Sequence, residues 1–172
     1  ADTPWVYTLA GRLAGRHAVH ATQFSDWFVY WRQNPSWPSN GTDHELRRTM
    51  KVLPTGYAGR LEWLARPFVR RMVDRWRAAL RDESGAEPWV VVCYPYAVPW
   101  TRHVPDERLL YYNLDEYTLY RPGRANRIRE QEAELVERAA HTLCLSQYQV
   151  QALRDRHPAH ADRIAHFPLG VQ

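Results

Sequence analysis

The runs WVVVCY at residues 89–94 and LLYYNL at 109–114 decide the fold class of this chain. Both are continuous, apolar and rich in β-branched or aromatic side chains, which is typical of strands buried on both faces of a parallel sheet. Two further short strands are predicted at 142–145 and 164–167, and helical patterns separate the strands. This alternation predicts an α/β protein with a doubly wound parallel sheet, in which 89–94 is a central strand.

The first half of the chain has weaker patterns. A helix is predicted at residues 4–15, and a strand is predicted at 17–24. Residues 25–59 combine aromatic residues, prolines and polar residues, so we expect a long loop there with a short strand at 50–53.

An arginine-flanked helix is predicted over residues 60–82, with Pro67 expected to kink or restart it. The pattern favours packing against the sheet, because a doubly wound domain needs helices to cover its sheet. The alternative is peripheral contact with anionic lipid at the inner membrane face, with Trp63, Phe68 and Trp76 at the apolar boundary. The apolar stripe consists of Leu61, Leu64, Phe68, Met72, Trp76 and Leu80.

Composition and charge restrict the class of protein. The 172 residues are 45% hydrophobic and 24% charged, which suits a folded domain with its own core. No window approaches the roughly eighteen consecutive apolar residues of a membrane span, and no signal-peptide pattern opens the chain, so we expect a soluble, cytoplasmic protein. The net charge of +4 favours anionic partners, but no nucleic-acid recognition motif accompanies it.

The cysteines and histidines do not indicate a metal site. Cys93 and Cys144 each lie in an apolar run, so we expect buried free thiols. The spacing of His157, His160 and His166 matches no standard zinc pattern. A metal site is therefore not expected at these residues.

Candidate functional residues follow the ends of the predicted strands, where ligands bind in open parallel sheets. Tyr94 follows the first strand, and the adjacent carboxylates Asp115 and Glu116 follow the second. One carboxylate could accept a proton from a sugar hydroxyl, and a solvated acidic turn is the alternative. Ser146 follows the third strand and is expected to cap the next helix, with Gln149 as its capping-box partner.

Four segments follow one another in a recognisable order from residue 88 onward. They are Asp115-Glu116-Tyr117 after a strand, a glutamate ahead of small residues in a helix at 134–140, a strand ending in serine at 143–146, and a turn PLGVQ at 168–172. In this order they resemble the N-terminal domain of bacterial GT-B-fold glycosyltransferases of the group 1, or family-4-like, type. The turn departs from the family's Pro-Asn-Gly-Val-Asp pattern at Leu169 and Gln172.

The resemblance implies a Rossmann-like, acceptor-side domain at residues 1–167 and the start of an interdomain linker at 168–172. The donor-binding C-terminal domain would lie beyond this chain, so the isolated domain is expected to be inactive. The whole enzyme would be a metal-independent hexosyltransferase. It would move a sugar from a nucleotide-sugar donor to a glycan or lipid-linked acceptor in cell-surface polysaccharide synthesis.

The resemblance also implies roles for particular residues. Asp115 is the implied catalytic residue, because it follows the strand whose end faces the cleft near the reacting sugar. The implied substrate-binding residues are Glu116, Tyr117, Arg121, Tyr94 and Ser146.

A flavodoxin-like binding or regulatory module is the alternative to an enzyme domain. It would use the same crevice at the strand ends without catalysing a reaction. The continuation of the gene past Gln172 would discriminate the two, since a second Rossmann-like half supports the enzyme and a stop codon supports the module.

Overall fold

The computed structural model describes residues 4–28, 32, 41–43, 46–53, 62–120 and 122–168. Its contacts group the chain into two compact units, Ala1–Pro88 and Trp89–Gln172. The domain boundary expected after residue 167 stays a prediction, and residues 169–172 of the expected linker lie outside the described part.

Besides the helical residues Trp27, Phe28 and Arg32, the described ranges of the first unit contain two helices and three strands. In chain order these are α1 (Pro4–Ala14), β1 (Val19–Asp26), β2 (Gly41–Asp43), β3 (Leu46–Leu53) and α2 (Glu62–Ser84). β1 runs parallel to β3, and β2 pairs antiparallel with the other side of β3. The helix at 4–15 and the strand at 17–24 are confirmed.

The loop expected over residues 25–59 is wrong at 25–28, 32, 41–43 and 46–49, which are strand or helix, while the short strand expected at 50–53 is confirmed as the end of β3. β3 begins at Leu46, four residues before the short strand expected at 50–53. Its first half, Leu-Arg-Arg-Thr, is polar, and Arg47 is exposed and paired with Glu83 at 2.8 Å. A strand with polar side chains at such positions lacks the apolar run on which the sequence prediction depended.

The long helix α2 corrects two expectations. It continues through Pro67 without a restart, because Pro67 lies on an exposed face where water can satisfy the carbonyl that loses its bond. Its buried residues are Ala65 and Val69, whereas Leu64 and Phe68 of the expected inward stripe are exposed. Leu61 lies outside the described residues.

The second unit contains a four-stranded parallel sheet with the order β4-β5-β6-β7. Its strands are β4 (Val90–Val92), β5 (Leu109–Asn113), β6 (His141–Cys144) and β7 (Ile164–His166). Its helices are α3 (Val98–Thr101), α4 (Tyr117–Tyr120), α5 (Ala125–Arg138) and α6 (Gln147–Arg156), and short 3-10 turns join them. The mixed α/β class with a parallel sheet is thus confirmed.

The expectation that residues 89–94 form a central strand is wrong for this sheet. β4 pairs with β5 only, so it lies at an edge among the described strands, and Val91 is 41% exposed. An apolar run shows that exposing the strand to water is unfavourable. It does not show whether the strand pairs with one neighbouring strand or with two. β5 is the buried strand, since Leu109 and Tyr111 have no exposed surface.

The strand order of the second unit runs in one direction, without the reversal that defines a doubly wound sheet. Its core lies between the sheet and the inner faces of α5 and α6. The fully buried members include Leu109, Tyr111, Leu135, Val136, Leu153 and Ile164. Across the described residues, no helix is both long and apolar enough to cross a membrane.

Candidate functional site

An open cleft of about 230 Å³ lies at the carboxyl ends of β5 and β6, beside the start of α6. Its lining includes three of the residues predicted from the strand ends, namely Asp115, Glu116 and Ser146. Asn113, Tyr148, Gln149, Ala152 and Arg156 also line it, with Leu114 and Leu145. The structure thus brings together the candidates that follow the second and third strands, while their roles stay predictions.

Asp115 is held within a short hydrogen-bonded turn. Its backbone amide donates to Asn113 Oδ1 at 3.1 Å, and its Oδ1 accepts from the amide of Glu116 at 2.8 Å. Its other oxygen, Oδ2, accepts from the hydroxyl of Tyr120, and this bond is the first cause that raises the pKa of Tyr120. Each carboxylate oxygen thus already accepts one hydrogen bond and retains capacity for a second donor.

Glu116 faces the positive group at the other side of the cleft. Its Oε1 accepts from the hydroxyl of Thr118, and its Oε2 lies 3.7 Å from the guanidinium of Arg156. The guanidinium therefore lies between Glu116 and a second, buried carboxylate on α5.

That carboxylate is Glu132, which is only 4% exposed. It accepts bonds from Arg156 at 2.7 Å, from Asn113 Nδ2 at 3.2 Å and from the hydroxyl of Tyr111 at 3.5 Å. Burial raises the pKa of Glu132, and the nearby Glu116 raises it further, whereas Arg156 and the Tyr111 hydrogen bond oppose the rise. A buried carboxylate is retained here because three donors compensate for its lost hydration.

Glu132 acts on the cleft through Asn113. The amide nitrogen of Asn113 donates to Glu132, while its carbonyl oxygen accepts from the backbone of Asp115. The side chain of Asn113 is thereby fixed at both ends, and it holds the start of the Asp115 turn. Glu132 is consequently a positioning residue for the cleft.

Sequence reasoning missed Glu132 and singled out Glu134 instead. Glu134 lies at the surface and forms a bidentate pair with Arg102, at 2.7 and 2.8 Å. A signal for Glu132 was present, since it precedes Leu135 and Val136 by three and four residues and so shares their buried face. A charged residue on an apolar helix face indicates a buried partner.

Tyr94 and Tyr117 lie together at the end of β4, and neither belongs to the lining of the cleft. Their ring centroids are 5.5 Å apart, and Tyr94 also stacks on Tyr96 at 5.1 Å. The hydroxyl of Tyr117 donates to the carbonyl of Cys93 at 2.8 Å. Burial, followed by the neighbouring Tyr94, raises the pKa of Tyr117, so this hydroxyl stays neutral.

Ser146 begins α6 with the predicted capping box. Its hydroxyl accepts from the amide of Gln149 at 3.2 Å, and Gln149 Oε1 accepts from the amide of Ser146 at 3.0 Å. The capping role is confirmed, and it accounts for the serine at this position. Arg121, the remaining predicted binding residue, lies outside the described residues.

The cysteines are free and buried, as expected. Burial raises the pKa of both the Cys93 and Cys144 thiols to about 12, which leaves them protonated at neutral pH. In the part of the chain that the structure describes, no group of three or more His, Cys, Asp or Glu side chains could hold a metal ion.

No protein-family model and no curated protein matches the chain. An assignment of function therefore rests on the order of the four segments and on the chemistry of the cleft.

Proposed function

We propose that this chain is the acceptor-binding half of a nucleotide-sugar-dependent glycosyltransferase with the GT-B fold. The observation that carries the proposal is the cleft at the carboxyl ends of β5 and β6, where Asp115, Glu116 and Ser146 meet. Open parallel sheets bind their ligands at this edge. The transfer would proceed without a metal ion or a cofactor, to a glycan or lipid-linked acceptor in cell-surface polysaccharide synthesis.

The side chains of the cleft suit a ligand that carries hydroxyl groups. Asp115 and Glu116 offer carboxylate oxygens as acceptors, and Gln149 offers an amide. Among the described residues that line the cleft, Arg156 is the one arginine, and it is already held by Glu132 and Glu116. Two carboxylates around a paired cation disfavour an anionic group here and favour the neutral hydroxyls of a sugar.

Asp115 is the proposed catalytic residue. An acceptor hydroxyl that displaced the Tyr120 hydroxyl would lie on Asp115 Oδ2, and the carboxylate could then take its proton during transfer. Glu116 and Ser146 are proposed to bind the acceptor in the cleft. Arg121, Tyr94 and Tyr117 stay predicted substrate-binding residues, although Tyr94 and Tyr117 lie outside the described lining of the cleft. The proposed partner is a donor-binding domain that completes a doubly wound, two-domain enzyme in the cytoplasm.

The proposal is tested by substituting Asp115 in the protein extended past Gln172. Asp115→Asn keeps the size, and its carbonyl oxygen can still accept from the amide of Glu116 while its amide nitrogen donates to the hydroxyl oxygen of Tyr120, so the thermal midpoint should change little. Turnover with the donor sugar should fall by about a hundredfold or more, which is the usual contribution of a general base. Unchanged turnover would remove Asp115 from the mechanism.

A thermal-shift screen with nucleotide-sugars and bare nucleotides tests the arrangement of the two halves. Stabilisation of the extended protein only, and not of residues 1–172, is the expected result, because the donor site would lie in the other half.

Glu134→Gln serves as the matched control for the turnover of Asp115→Asn, since it removes one carboxylate outside the cleft.

A non-catalytic, flavodoxin-like binding module is the second candidate. The observation that favours it is that both oxygens of Asp115 accept hydrogen bonds from residues of the same turn. A structural role in a solvated acidic turn is then enough to explain the carboxylate at this position. Stabilisation of residues 1–172 alone by a nucleotide, without turnover in the extended protein, would favour this module over the enzyme.

A further inference from the structure

The helix α2 carries a second apolar face that its own unit does not cover. Trp63, Leu64 and Phe68 are 66%, 53% and 57% exposed. The opposite face packs inward through Ala65 and Val69. In its first two turns the helix therefore buries small apolar residues and exposes large ones, the reverse of what burial alone would favour, whereas further along Trp76 is partly buried against the ring of His20.

Two arginines follow the exposed apolar residues along the same face of the helix, ahead of Asp82. Arg71 follows Leu64 by seven residues, and Arg75 follows Phe68 by seven, so both arginines lie on the same face of the helix, one or two turns further along. Arg71 and Arg75 are exposed. We call Trp63, Leu64, Phe68, Arg71 and Arg75 the α2 patch.

The two arginines of the α2 patch differ from their neighbours in charge pairing. Arg66 is paired with Glu62 at 2.7 Å, and Arg70 lies 3.8 Å from Asp74. Neither Arg71 nor Arg75 forms an ion pair within the described ranges of the chain. Their positive charge is therefore available to an external anion.

We propose that the α2 patch binds the surface of an anionic lipid bilayer, with the helix lying in the plane of the membrane. Tryptophan, phenylalanine and leucine enter the boundary between headgroups and acyl chains, while arginines contact the anionic headgroups. A bilayer supplies both an apolar layer and a negative surface, and this pair of properties matches the patch. The inference does not depend on the proposed catalytic activity.

Other occupants fit the patch less well. A second copy of the chain would bring Arg71 and Arg75 against the same two arginines, and like charges repel. A nucleic acid would be attracted by the arginines, but the chain has no recognition motif.

Vesicle sedimentation of the chain of residues 1–172 tests the proposal. The probes are vesicles of phosphatidylcholine alone and vesicles of phosphatidylcholine with phosphatidylglycerol. We expect binding to the anionic vesicles only, and we expect it to weaken as salt rises, because salt screens the headgroup charge. Absence of binding to anionic vesicles at low salt, or equal binding to both kinds of vesicle, would overturn the proposal.

The charged half of the patch is tested by Arg71→Glu with Arg75→Glu. Loss of two arginines near an anionic surface should weaken partitioning about 30-fold, and reversal of their charge should weaken it more. The control is Arg16→Glu with Arg129→Glu, at two exposed positions outside the patch. Both double variants change the net charge from +4 to 0, so equal losses would mean that overall charge alone drives binding and would reject the patch.

The apolar half is tested by Trp63→Ser with Phe68→Ser, which should weaken binding about tenfold or more while leaving the net charge unchanged. Trp89→Ser with Phe167→Ser removes the same residue types from exposed positions in the second unit and should have little effect. Because all these positions are exposed, circular dichroism should show folded proteins throughout. Binding that is insensitive to Trp63 and Phe68 would overturn the interfacial geometry.

Discussion

Glu132 and Glu134 lie two residues apart on α5, yet their surroundings shift their pKa values in opposite directions. Glu132 is buried among Tyr111, Asn113 and Arg156, and its pKa is raised from the usual 4.5, chiefly by burial. Glu134 is paired with Arg102 at the surface, and its pKa is lowered from the same value, chiefly by that hydrogen bond. The cost of desolvation exceeds the attraction of an arginine on one side and falls below it on the other.

The comparison teaches that an arginine partner does not by itself lower the pKa of a glutamate. Arg156 contacts Glu132 at 2.7 Å, and Arg102 contacts Glu134 at the same distance. What differs is access to water, since Glu134 keeps 28% of its side-chain surface and Glu132 keeps 5%.

Glu132→Ala should have the largest effect and should lower the free energy of unfolding by about 3 kcal/mol. The substitution leaves the Asn113 amide without its acceptor and Arg156 without its closest partner. Arg156 is one third exposed, so water recovers part of its hydration. Urea denaturation at neutral pH measures the loss, and Glu134→Ala is the matched control. Equal losses for the two variants would contradict the contrast between the two sides.

Arg156→Met should follow, with a loss of about 2 kcal/mol, because Glu132 can relieve the lost pairing by taking up a proton. The attraction of Arg156 is the largest influence that lowers the pKa of Glu132, so this pKa should rise further in the variant. NMR titration of the side-chain carboxyl groups gives the readout. A Glu132 pKa that stays at its wild-type value would show that Arg156 has no part in its titration.

Glu134→Gln should lower the free energy of unfolding by only about 0.5 kcal/mol, since Arg102 is half exposed. The pKa of Glu134 is lowered in the folded state, so its contribution is complete above pH 4.5 and is lost as the pH falls below that value. The difference between wild type and variant should therefore shrink on acidification. A difference that grew in acid would refute the assigned sign.

Glu132→Gln should have the smallest effect at neutral pH, within about 0.5 kcal/mol of zero, because relief of the buried charge offsets the weaker bond to Arg156. The pKa of Glu132 is raised in the folded state, so its stabilising contribution is complete below pH 4.5 and is lost as the pH rises through the folded pKa. Wild type should thus gain stability relative to this variant on acidification, in the opposite direction to Glu134→Gln. Parallel pH profiles for the two glutamine variants would show that the pKa values of Glu132 and Glu134 are not shifted in opposite directions.

The secondary structure of the second unit could be predicted because its signals are local. The apolar run at β5 and the Ser146 to Gln149 capping box each depend on a few adjacent residues. The meeting of Asp115 and Ser146 in one cleft was also predictable, since neighbouring parallel strands end at the same edge of a sheet.

The rest depends on which surfaces meet, and local patterns do not contain that information. In α2, Leu64 and Phe68 compete with Ala65 and Val69 for the inward face, and the packing surface selected the smaller pair. In α5, the spacing to Leu135 and Val136 places Glu132 on the buried face, but no local pattern identifies its partners Arg156 and Asn113, which lie 24 and 19 residues away in sequence.

The order of the strands in the second unit bears on how this part of the chain is synthesised. Each of β5, β6 and β7 pairs with the strand that precedes it, so the strands leave the ribosome in the order in which they pair. When β5, β6 or β7 is synthesised, the strand with which it pairs has already been synthesised. Pairing within this sheet therefore does not depend on a segment that is distant in sequence. Translation and sheet assembly can then proceed in step, one strand at a time.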